Sequence, residues 1–416
     1  MFSRIYSSAT IGIEAYPVEV EVDIAGKSMP GVQIVGLPDT AVKESRERVW
    51  AAMENSDFKF PNDKITVNLA PADIRKEGPA FDLPIAVGIL AAQGEADPVK
   101  AESYVFIGEL SLDGKLRPVT GVLPIALMVR NDARFKGIIL PRENAPEASL
   151  VDRIEILPME TLEEVVSFLE GRTSPEPWPN TGFEELQRDI FLDADFSEVK
   201  GQEHAKRALE IAAAGNHNIL MIGPPGGGKT MLARRLPGIL PALSREEALA
   251  VTKLYSISGL LRAGQAVVRA RPFRAPHHTI SNVALIGGGS IPKPGEVSLA
   301  HNGVLFLDEL TEFKRDVLEV LRQPLEDGIV NISRASASLT FPASFVLVAA
   351  MNPCPCGWYG DYVHPCSCGP LQIQKYIKKV SGPLLDRIDI HVEVPRIDPE
   401  KLTSSAAGES TKTILD

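Results

Sequence analysis

The spacing of hydrophobic and polar positions varies along the chain, and the first 172 residues mix two periods. Apolar residues alternate with acidic ones over residues 18–24, which predicts a strand with one buried face. Over residues 39–54 the apolar positions recur at helical spacing with charges between them, which predicts an amphipathic helix. Residues 65–69 and 104–107 predict two further strands. This region is therefore expected to be an α+β domain.

From residue 191 onward, short runs made almost entirely of apolar residues alternate with helical patterns. Three such runs occupy residues 218–222, 304–307 and 345–350. Strands of this composition are buried on both faces, as in a parallel sheet covered by helices. The sequence therefore predicts an α/β fold with a parallel sheet in the second half of the chain.

Two polar segments flank this α/β region. Residues 173–190 begin with three prolines within a few positions, which is typical of a stiff, extended linker. Residues 399–416 form a polar tail, of which residues 403–416 are small and polar and are expected to fray. We therefore predict an α+β domain at 1–172, the linker, an α/β core at 191–398, and a polar tail.

The composition favours a globular protein of the cytoplasm. The 416 residues are 44% hydrophobic and 23% charged, with a net charge of −11. Such a charge argues against a protein that coats nucleic acid with its whole surface, but it allows a local basic patch. No apolar run approaches the ~20 residues that span a bilayer. Residues 1–10 lack the basic and apolar regions of a signal peptide. We therefore expect neither secretion nor a membrane partner.

The first candidate site follows the apolar run at 218–222. Its eight residues match the pattern G-x-x-x-x-G-K-[ST] of a phosphate-binding loop (P-loop) between a strand and a helix: Gly223, Pro224, Pro225, Gly226, Gly227, Gly228, Lys229 and Thr230. Glycines let backbone N–H groups wrap phosphates, and the helix N-terminus adds a favourable dipole. Lys229 is expected to bind the β- and γ-phosphates of ATP, and Thr230 to hold Mg²⁺. The alternative, a glycine-rich turn, is disfavoured by the flanking strand and helix patterns.

An acidic pair, Asp308 and Glu309, follows the apolar run at 304–307. Parallel sheets bind their ligands at the carboxyl ends of the strands, so this pair is positioned for nucleotide chemistry. Asp308 is expected to hold the Mg²⁺ shell, and Glu309 to polarise the attacking water. The alternative is a helix N-cap with an acidic first turn. That alternative does not explain why the pair follows a buried strand in a chain with a P-loop.

Two further residues are candidates by their place in this series. Asn352 follows the apolar run at 345–350 and is positioned to contact the γ-phosphate or the water, although an Asn-Pro pair alone is a turn signal. Arg387 is a candidate arginine finger, which offers its guanidinium to the γ-phosphate of a neighbouring subunit. The alternative for Arg387 is a surface ion pair with Asp386 or Asp389.

Four stretches resemble the ComM/YifB family of Mg-chelatase-like AAA+ ATPases, namely residues 273–281, 292–310, 351–357 and 382–389. The resemblance runs over nearly the whole chain. It implies a hexamer that uses ATP and Mg²⁺ and in which the arginine finger acts on the adjacent protomer. Members of the ComM type resemble motors that promote branch migration during recombination, so single-stranded or branched DNA is the implied partner. The chelatase motor subunits are a sister group.

The N-terminal region is similar to the Lon-protease-like domain, which has a ribosomal-S5-like α+β fold. Lon proteases use a Ser–Lys dyad in which the serine follows a Gly-Pro pair. Here Gly78-Pro79 is followed by Ala80, and Leu123 stands where the pattern places the lysine. Alanine offers no nucleophile and leucine no base. The resemblance therefore implies a non-proteolytic scaffold or DNA-contact module.

The family pattern continues past residues 392–395 into a helical lid that carries another nucleotide-sensing arginine. The chain ends at Asp416, where that lid would begin. We therefore expect the P-loop core to bind ATP, and we expect hydrolysis and ring assembly to depend on the lid.

All four cysteines fall in one short segment: Cys354, Cys356, Cys366 and Cys368. This clustering is unlike a disulfide framework, and a structural Zn²⁺ site is one interpretation. The gap of one residue within each pair is shorter than the gap that zinc pairs usually have. Four free thiols in an irregular loop are therefore an equal alternative.

A hairpin is predicted between the acidic pair and Asn352. Residues 329–333 and 338–341 have strand patterns on either side of Arg334. In DNA-translocating relatives such a hairpin lines the pore, so the resemblance makes Arg334 a candidate phosphate contact. An ordinary exposed turn is the alternative. The neighbouring His277 and His278 receive no assignment from the sequence.

Three functions are compatible with these features. The first is an ATP-driven motor on DNA in recombination or transformation. The second is a chelatase-like remodelling ATPase, which would need a porphyrin-binding partner. The third is a nucleotide-binding assembly protein with impaired turnover. Stimulation of ATP turnover by DNA separates the first from the other two.

Overall fold

The computed structural model divides the chain into two compact units. The first consists of Met1–Leu186 and Tyr255–Val268, and the second of Gln187–Leu254 and Arg269–Asp416. The structure describes residues 1–26, 30–180, 194–262, 264–289, 292–334, 337–397 and 408–415, with the backbone alone at 334 and 337. Each unit has its own buried hydrophobic core.

A seven-stranded sheet, a separate two-stranded sheet and several helices form the described part of the first unit. The strands are β1 Phe2–Ile11, β2 Glu14–Ala25, β3 Gly31–Val35, β4 Lys64–Ala70, β5 Tyr104–Phe106, β6 Glu109–Leu110, β7 Leu116–Arg117, β8 Gly137–Pro141 and β9 Glu155–Met159. The helices are α1 Thr40–Asn55, α2 Asp82–Gln93, α3 Pro98–Ala101, α4 Val122–Asn131, α5 Ala145–Ala148 and α6 Leu162–Leu169. The strand order in the large sheet is β3-β4-β2-β1-β5-β8-β9.

This unit has the predicted α+β character. β1 and β2 are antiparallel, and β5, β8 and β9 continue the sheet in parallel. The alternation predicted for residues 18–24 is confirmed, because the apolar side chains at every second position of β2 are buried. The predicted helix is α1, and it begins after Asp39, whose side chain accepts a hydrogen bond from the Val42 amide at 2.8 Å.

The second unit contains the following elements in its described residues. The strands are β10 Ile219–Ile222, β11 Phe273–Arg274, β12 Gly287–Gly288, β13 Lys293–Pro294, β14 Val304–Leu307, β15 Ile329–Arg334, β16 Ala337–Pro342, β17 Val346–Met351 and β18 Ile390–Glu393. The helices are α7 Glu203–Gly215, α8 Lys229–Ile239, α9 Arg245–Ile257, α10 Asn282–Ile286, α11 Glu296–Leu299, α12 Arg315–Glu319, α13 Arg322–Asp327, α14 Pro370–Ile377, α15 Gly382–Leu385 and α16 Thr411–Leu415. The last three residues of α9 belong to the first unit.

Five of these strands form a parallel sheet in the order β11-β14-β17-β10-β18. The three apolar runs are confirmed as β10, β14 and β17, and each is buried along most or all of its length. In the register of the sheet, Ile222 lies opposite Met351, and Leu307 lies opposite Ala349. The residues that follow these strands therefore emerge at one edge of the sheet.

The predicted hairpin is also confirmed. β15 and β16 pair antiparallel from Ile329 opposite Pro342 to Arg334 opposite Ala337. Their buried side chains include Val330, Ile332 and Phe341. The Arg334 side chain lies outside the described part of the chain.

Three predicted segments are described differently by the structure or lie partly outside the described residues. Residues 255–268 cluster with the first unit, although the sequence placed them inside the 191–398 core. Of the predicted linker, residues 173–180 are free of helix and strand, and residues 181–190 lie outside the described ranges. The tail does not fray throughout, because α16 packs in the second unit. There the Thr411 hydroxyl accepts a hydrogen bond from the Phe196 amide at 2.9 Å.

The structure also bears on membrane association. Within the described ranges, no helix combines the length and the apolar character needed to cross a bilayer.

Candidate nucleotide site

The loop at residues 223–228 joins β10 to α8 at the carboxyl edge of the parallel sheet. Gly226 and Gly228 have φ angles of 77° and 88°, a conformation that glycine adopts without steric cost. Gly223 packs against the Val394 carbonyl, where an added Cβ would come within 2.0 Å of the oxygen. The loop is thus a tight backbone cradle that ends at a helix N-terminus, a geometry suited to phosphate.

Lys229 connects this cradle to the end of β17. Its ammonium donates to the carbonyl oxygens of Gly223 at 2.7 Å and Pro224 at 3.0 Å, and to Asn352 Oδ1 at 3.3 Å. Burial lowers the pKa of Lys229, and the nearby carboxylates of Asp308 and Glu309 oppose that change. Carbonyl and amide oxygens bind an ammonium less strongly than phosphate does. The lysine can therefore exchange them for the oxygens of a nucleotide.

Thr230 and the acidic pair meet at the same edge. The Thr230 hydroxyl donates to Asp308 Oδ2 at 2.7 Å, and the Glu309 amide donates to Asp308 Oδ1 at 2.9 Å. Glu309 has a φ of 52°, a conformation uncommon for a residue with a side chain. A hydroxyl beside a carboxylate is an oxygen donor set of the kind that Mg²⁺ binds together with phosphates. The predicted ligands Thr230 and Asp308 are therefore adjacent.

His278 is a neighbour of Glu309 that the sequence did not assign. Its Nδ1 lies 3.3 Å from Glu309 Oε2, and its ring packs on the ring of His277 at 4.1 Å between centroids. His278 comes soon after β11, which pairs in parallel with β14. The sequence could have indicated His278 only through its position after a strand that ends at the same sheet edge. That strand, β11, has only two residues and no apolar run, so the sequence contains no such indication.

Gln202 is a second residue that the sequence did not single out. It precedes α7 with a φ of 61°, and its side-chain amide donates to the carbonyl oxygens of Gly227 at 3.1 Å and Pro395 at 2.5 Å. The side chain thus ties the P-loop to the segment that follows β18. In the sequence, only the position of Gly201-Gln202 before a helix hints at this contact.

Arg387 does not join the groups around Lys229. Its guanidinium pairs with Glu326 at the end of α13 and donates to the Pro383 carbonyl. The expected alternative, a pair with Asp386 or Asp389, is not the arrangement seen, and Asp389 instead accepts from the Asn218 amide at 2.9 Å. The role of Arg387 as an arginine finger stays a prediction.

The four cysteines form a compact cluster in a segment without helix or strand, residues 353–368. Cys354 Sγ lies 3.3 Å from Cys356 Sγ and 3.7 Å from Cys366 Sγ, and all four sulfurs are within 4.8 Å of one another. The cysteines are free of disulfides. Four thiolates on a Zn²⁺ ion with bonds of about 2.3 Å would have sulfurs about 3.8 Å apart. The short spacing within each pair therefore does not prevent a tetrahedral sulfur set.

Backbone amides point at this cluster. The Tyr359 amide donates to Cys354 Sγ at 3.3 Å, and the Cys368 amide donates to Cys366 Sγ at 3.4 Å. The Trp358 amide lowers the pKa of Cys356 to about 6. The Cys368 amide acts to lower the pKa of Cys366, but desolvation and the neighbouring thiols together outweigh it and raise that pKa to about 12. Such donors stabilise thiolates, and a dication would relieve the repulsion between them.

The residues at the expected dyad positions lie in the first unit. Ala80 lines a pocket of about 280 Å³ together with Thr10 and Gly78. Leu123 is fully buried in α4, and its amide donates to Glu147 at 2.7 Å. Neither side chain can act as a nucleophile or a base, so the absence of proteolysis stays the prediction for this unit.

Two family profiles match the chain. The profile for magnesium chelatase, subunit ChlI, matches residues 195–402, and the profile for subunit ChlI of Mg-chelatase matches residues 20–144.

Several curated proteins are similar along nearly the whole chain. The protein YifB of Escherichia coli K12 is 46% identical over 414 residues, which is 99% of this chain and 80% of YifB. The competence protein ComM of Haemophilus influenzae Rd is 47% identical over 424 aligned residues, again 99% of this chain and 80% of the relative. The magnesium-chelatase 38 kDa subunit of Cereibacter sphaeroides is 26% identical over 175 residues, or 38% of this chain and 52% of that subunit.

Proposed function

Because this chain belongs to the ComM/YifB family of Mg-chelatase-like AAA+ proteins, we propose that it is a cytoplasmic, ATP-hydrolysing ring motor that acts on DNA. The observation that carries the ATPase part is the meeting of four separately predicted groups at one sheet edge. Lys229 bonds to Asn352 at 3.3 Å, and Thr230 bonds to Asp308 at 2.7 Å.

The chemistry assigned to each group follows from its position. The 223–228 backbone and Lys229 bind the phosphates of ATP, while Thr230 and Asp308 hold Mg²⁺, which neutralises phosphate charge when bound. Glu309, exposed at the mouth of the site, accepts a proton from the attacking water. Asn352, already bonded to Lys229, orients that water or the γ-phosphate.

We propose a hexamer because of the family to which the chain belongs and because Arg387 lies outside the nucleotide site of its own chain. Within the described residues Arg387 pairs with Glu326 rather than with Lys229, Asp308 or Asn352. A guanidinium outside its own site is suited to act on the site of a neighbouring subunit. In the proposed ring, each active site takes its P-loop from one protomer and Arg387 from the next.

DNA is proposed as the partner because of the ComM relative and the β15–β16 hairpin. β15 and β16 form a sheet of their own, separate from the parallel sheet. In the proposed ring this hairpin would line the central channel, where Arg334 would contact phosphates without reading sequence. The first unit, whose dyad positions hold Ala80 and Leu123, would then serve as a non-proteolytic scaffold or a second DNA contact.

A structural Zn²⁺ is proposed for the four cysteines. Their sulfurs have the number and mutual distances of a closed tetrahedral site, and backbone N–H groups support the thiolates. Zinc fits better than a redox metal here, because a structural tetrahedral thiolate site needs no change of oxidation state.

A remodelling ATPase of the chelatase type is the second candidate. The specific observation in its favour is the match to the magnesium-chelatase 38 kDa subunit, which covers 38% of the chain. The far wider match to ComM favours the DNA motor.

The decisive experiment measures ATP turnover with and without single-stranded and forked DNA. We expect DNA to stimulate turnover, and we expect Arg334→Ala to lose that stimulation while it keeps basal turnover. Arg315→Ala is the matched control, because Arg315 is an exposed arginine outside the hairpin. Turnover that DNA leaves unchanged would contradict the DNA motor and favour the remodelling ATPase. If Arg315→Ala loses stimulation equally, the hairpin is not the specific contact.

A further inference from the structure

The cysteine loop, residues 354–368, leaves the sheet directly beside the proposed nucleotide site. Met351, at the end of β17, accepts a hydrogen bond from the Gly223 amide at 3.2 Å. Asn352 follows and bonds to Lys229 at 3.3 Å. Cys354 comes two residues later and is fully buried. The first cysteine thus lies within two residues of a group that touches the P-loop lysine.

The cysteine loop also packs on the P-loop itself. Gly357 has a φ of 85°, and a Cβ added there would come within 2.8 Å of Pro225 Cδ and 4.0 Å of Asn352 Cγ. The Gly357 backbone is therefore in close contact with the third residue of the P-loop. This glycine directly follows the first cysteine pair and precedes the second, so a movement of either pair would disturb its contact with Pro225.

A second set of contacts fixes the far side of the cysteine loop. The His364 ring packs edge-on against Trp358 at 4.5 Å, and its Nε2 lies 3.2 Å from an Arg396 nitrogen. Arg396 lies two residues after Val394, whose carbonyl packs against Gly223. The loop is thus held against the nucleotide site at both ends of its path.

The described residues between Asn352 and Gly369 contain neither helix nor strand. Thiol–thiol contacts are weak, so a cluster of four thiols adds little to the stability of such a segment. Four zinc–thiolate bonds, in contrast, supply folding free energy in structural sites. The bound ion would therefore be the strongest constraint on the backbone that presents Asn352 and covers Pro225.

We propose that Zn²⁺ bound by Cys354, Cys356, Cys366 and Cys368 sets the nucleotide affinity of the site by holding the cysteine loop against the P-loop. The nucleotide side of this coupling rests on the proposed ATPase function. Without the ion, the cysteine loop samples positions in which Asn352 and Gly357 leave the P-loop. The apparent affinity for nucleotide then falls in proportion to the fraction of molecules that keep the binding-competent arrangement.

The test uses a Cys366→Ser/Cys368→Ser double variant, which removes the two ligands farthest along the chain from Asn352. Ser367→Ala, between these cysteines, is the matched control because Ser367 is exposed. Zinc content is measured after purification without chelator. Hydrogen exchange is followed over residues 219–232, and a fluorescent ATP analogue gives the affinity. We expect about one zinc per wild-type chain, zinc loss and faster exchange in the double variant, and nucleotide binding weaker by about tenfold if one molecule in ten stays competent.

The outcomes separate the parts of the proposal. Zinc-free wild-type protein would overturn the metal site and with it the coupling. Zinc in the wild type, with unchanged exchange and affinity in the double variant, would overturn the coupling alone. The exchange measurement needs no nucleotide. Faster exchange in a chain that binds no ATP analogue therefore supports the link between metal and P-loop and contradicts the proposed ATPase. If the double variant is insoluble, wild type stripped with chelator and reloaded with Zn²⁺ gives the same comparison.

Discussion

At the scale of single residues, Lys229 and Glu309 have separate tasks in the proposed site, and the structure keeps them on different elements. Lys229 starts α8 and bonds within the P-loop, whereas Glu309 follows β14 and is 58% exposed. Replacement of a residue that holds phosphate weakens nucleotide binding, whereas replacement of a residue that accepts a proton slows turnover. Binding and turnover therefore report on them separately.

Glu309→Gln should bind an ATP analogue with wild-type affinity and lower turnover by at least about 100-fold, because an amide cannot accept the proton of the water. Lys229→Ala should lose binding, because it removes the cation in the phosphate cradle. A fluorescence titration and a phosphate-release assay measure the two effects. Wild-type turnover in either variant would contradict these assignments.

His278 provides a finer test of how Glu309 is held. Its imidazole lies 3.3 Å from the Glu309 carboxylate, and no described contact joins it to Lys229. His278→Ala should lower kcat by about tenfold, because a small misplacement of a catalytic group is costly, and should leave KM for ATP unchanged. His277→Ala, which removes the adjacent ring, is the control. A change in KM without a change in kcat would show that His278 acts in binding instead.

These residues also show what the sequence can reveal at this scale. The positions of Asp308 and Asn352 at the sheet edge were predictable, because each comes after a short apolar run that forms a strand of the parallel sheet. His278 and Gln202 were not, because neither follows such a run. Their contacts are with residues distant in the sequence, which only the folded chain brings together. Gln202, for example, donates to the carbonyl oxygens of Gly227 and Pro395.

At the scale of elements, the central strands were predictable to within a residue, because burial on both faces leaves a strong apolar signal. The predicted run at 304–307 coincides with β14, and the run at 345–350 is β17 shifted by one residue. The short strands β6, β7, β12 and β13 have two residues each and leave no period to read. The same holds for β11, which borders the nucleotide site.

The pairing of α1 with α2 in the first unit depends on one buried carboxylate. Arg48 of α1 donates to both oxygens of Asp82, the first residue of α2, at 2.6 and 2.9 Å. Burial raises the pKa of Asp82, although the Arg48 hydrogen bonds lower it in part. The Asp82 side chain is completely buried, so its charge depends on this partner.

Arg48→Ala should therefore lower the free energy of unfolding by about 3 kcal/mol near neutral pH, because it leaves a buried charge unpaired. The variant also removes the largest of the influences that lower the pKa of Asp82, so that pKa rises further. Between the ordinary pKa of an aspartate and this raised value, the folded state binds more protons than the unfolded state. The stability of the variant should therefore increase as the pH falls through that interval.

Denaturant unfolding at several pH values measures this effect. Arg46→Ala is the matched control, because Arg46 lies on the same helix and pairs with the exposed Glu47. A loss of stability that is equal in the two variants, or that does not shrink toward acid pH, would contradict the role of the buried pair.

At the scale of the whole molecule, the proposed arginine finger Arg387 is linked by a hydrogen bond to the segment before β10, the strand that leads into the P-loop of the same chain. The Asn218 side chain, just before β10, donates to the Arg387 carbonyl at 2.8 Å and accepts from the Leu347 amide at 2.8 Å. The strand that leads to one nucleotide site thus also fixes the backbone of the residue proposed to complete another. In a ring, this arrangement connects neighbouring sites through rigid strands.

A mixing experiment tests whether sites are shared between subunits. Lys229→Ala and Arg387→Ala should each lack turnover, because one has no phosphate cradle and the other no finger. Mixed together, they should regain turnover, because an intact P-loop can then meet an intact Arg387 across an interface. Activity of Arg387→Ala alone, or no recovery in a mixture shown to co-assemble, would argue against a shared site.

Residues 255–268 have a consequence for how the protein is made. They belong to the first unit, where the Ser256 hydroxyl donates to the buried Glu147 carboxylate at 2.5 Å. On the ribosome this part of the unit is translated only after residues 187–254 of the second unit. At about 5–20 residues per second, several seconds pass before Glu147 of the nascent first unit can gain its Ser256 partner. Its folding during translation is therefore completed by a segment encoded inside the second unit, and a gene fragment that stops at the predicted linker would never supply it.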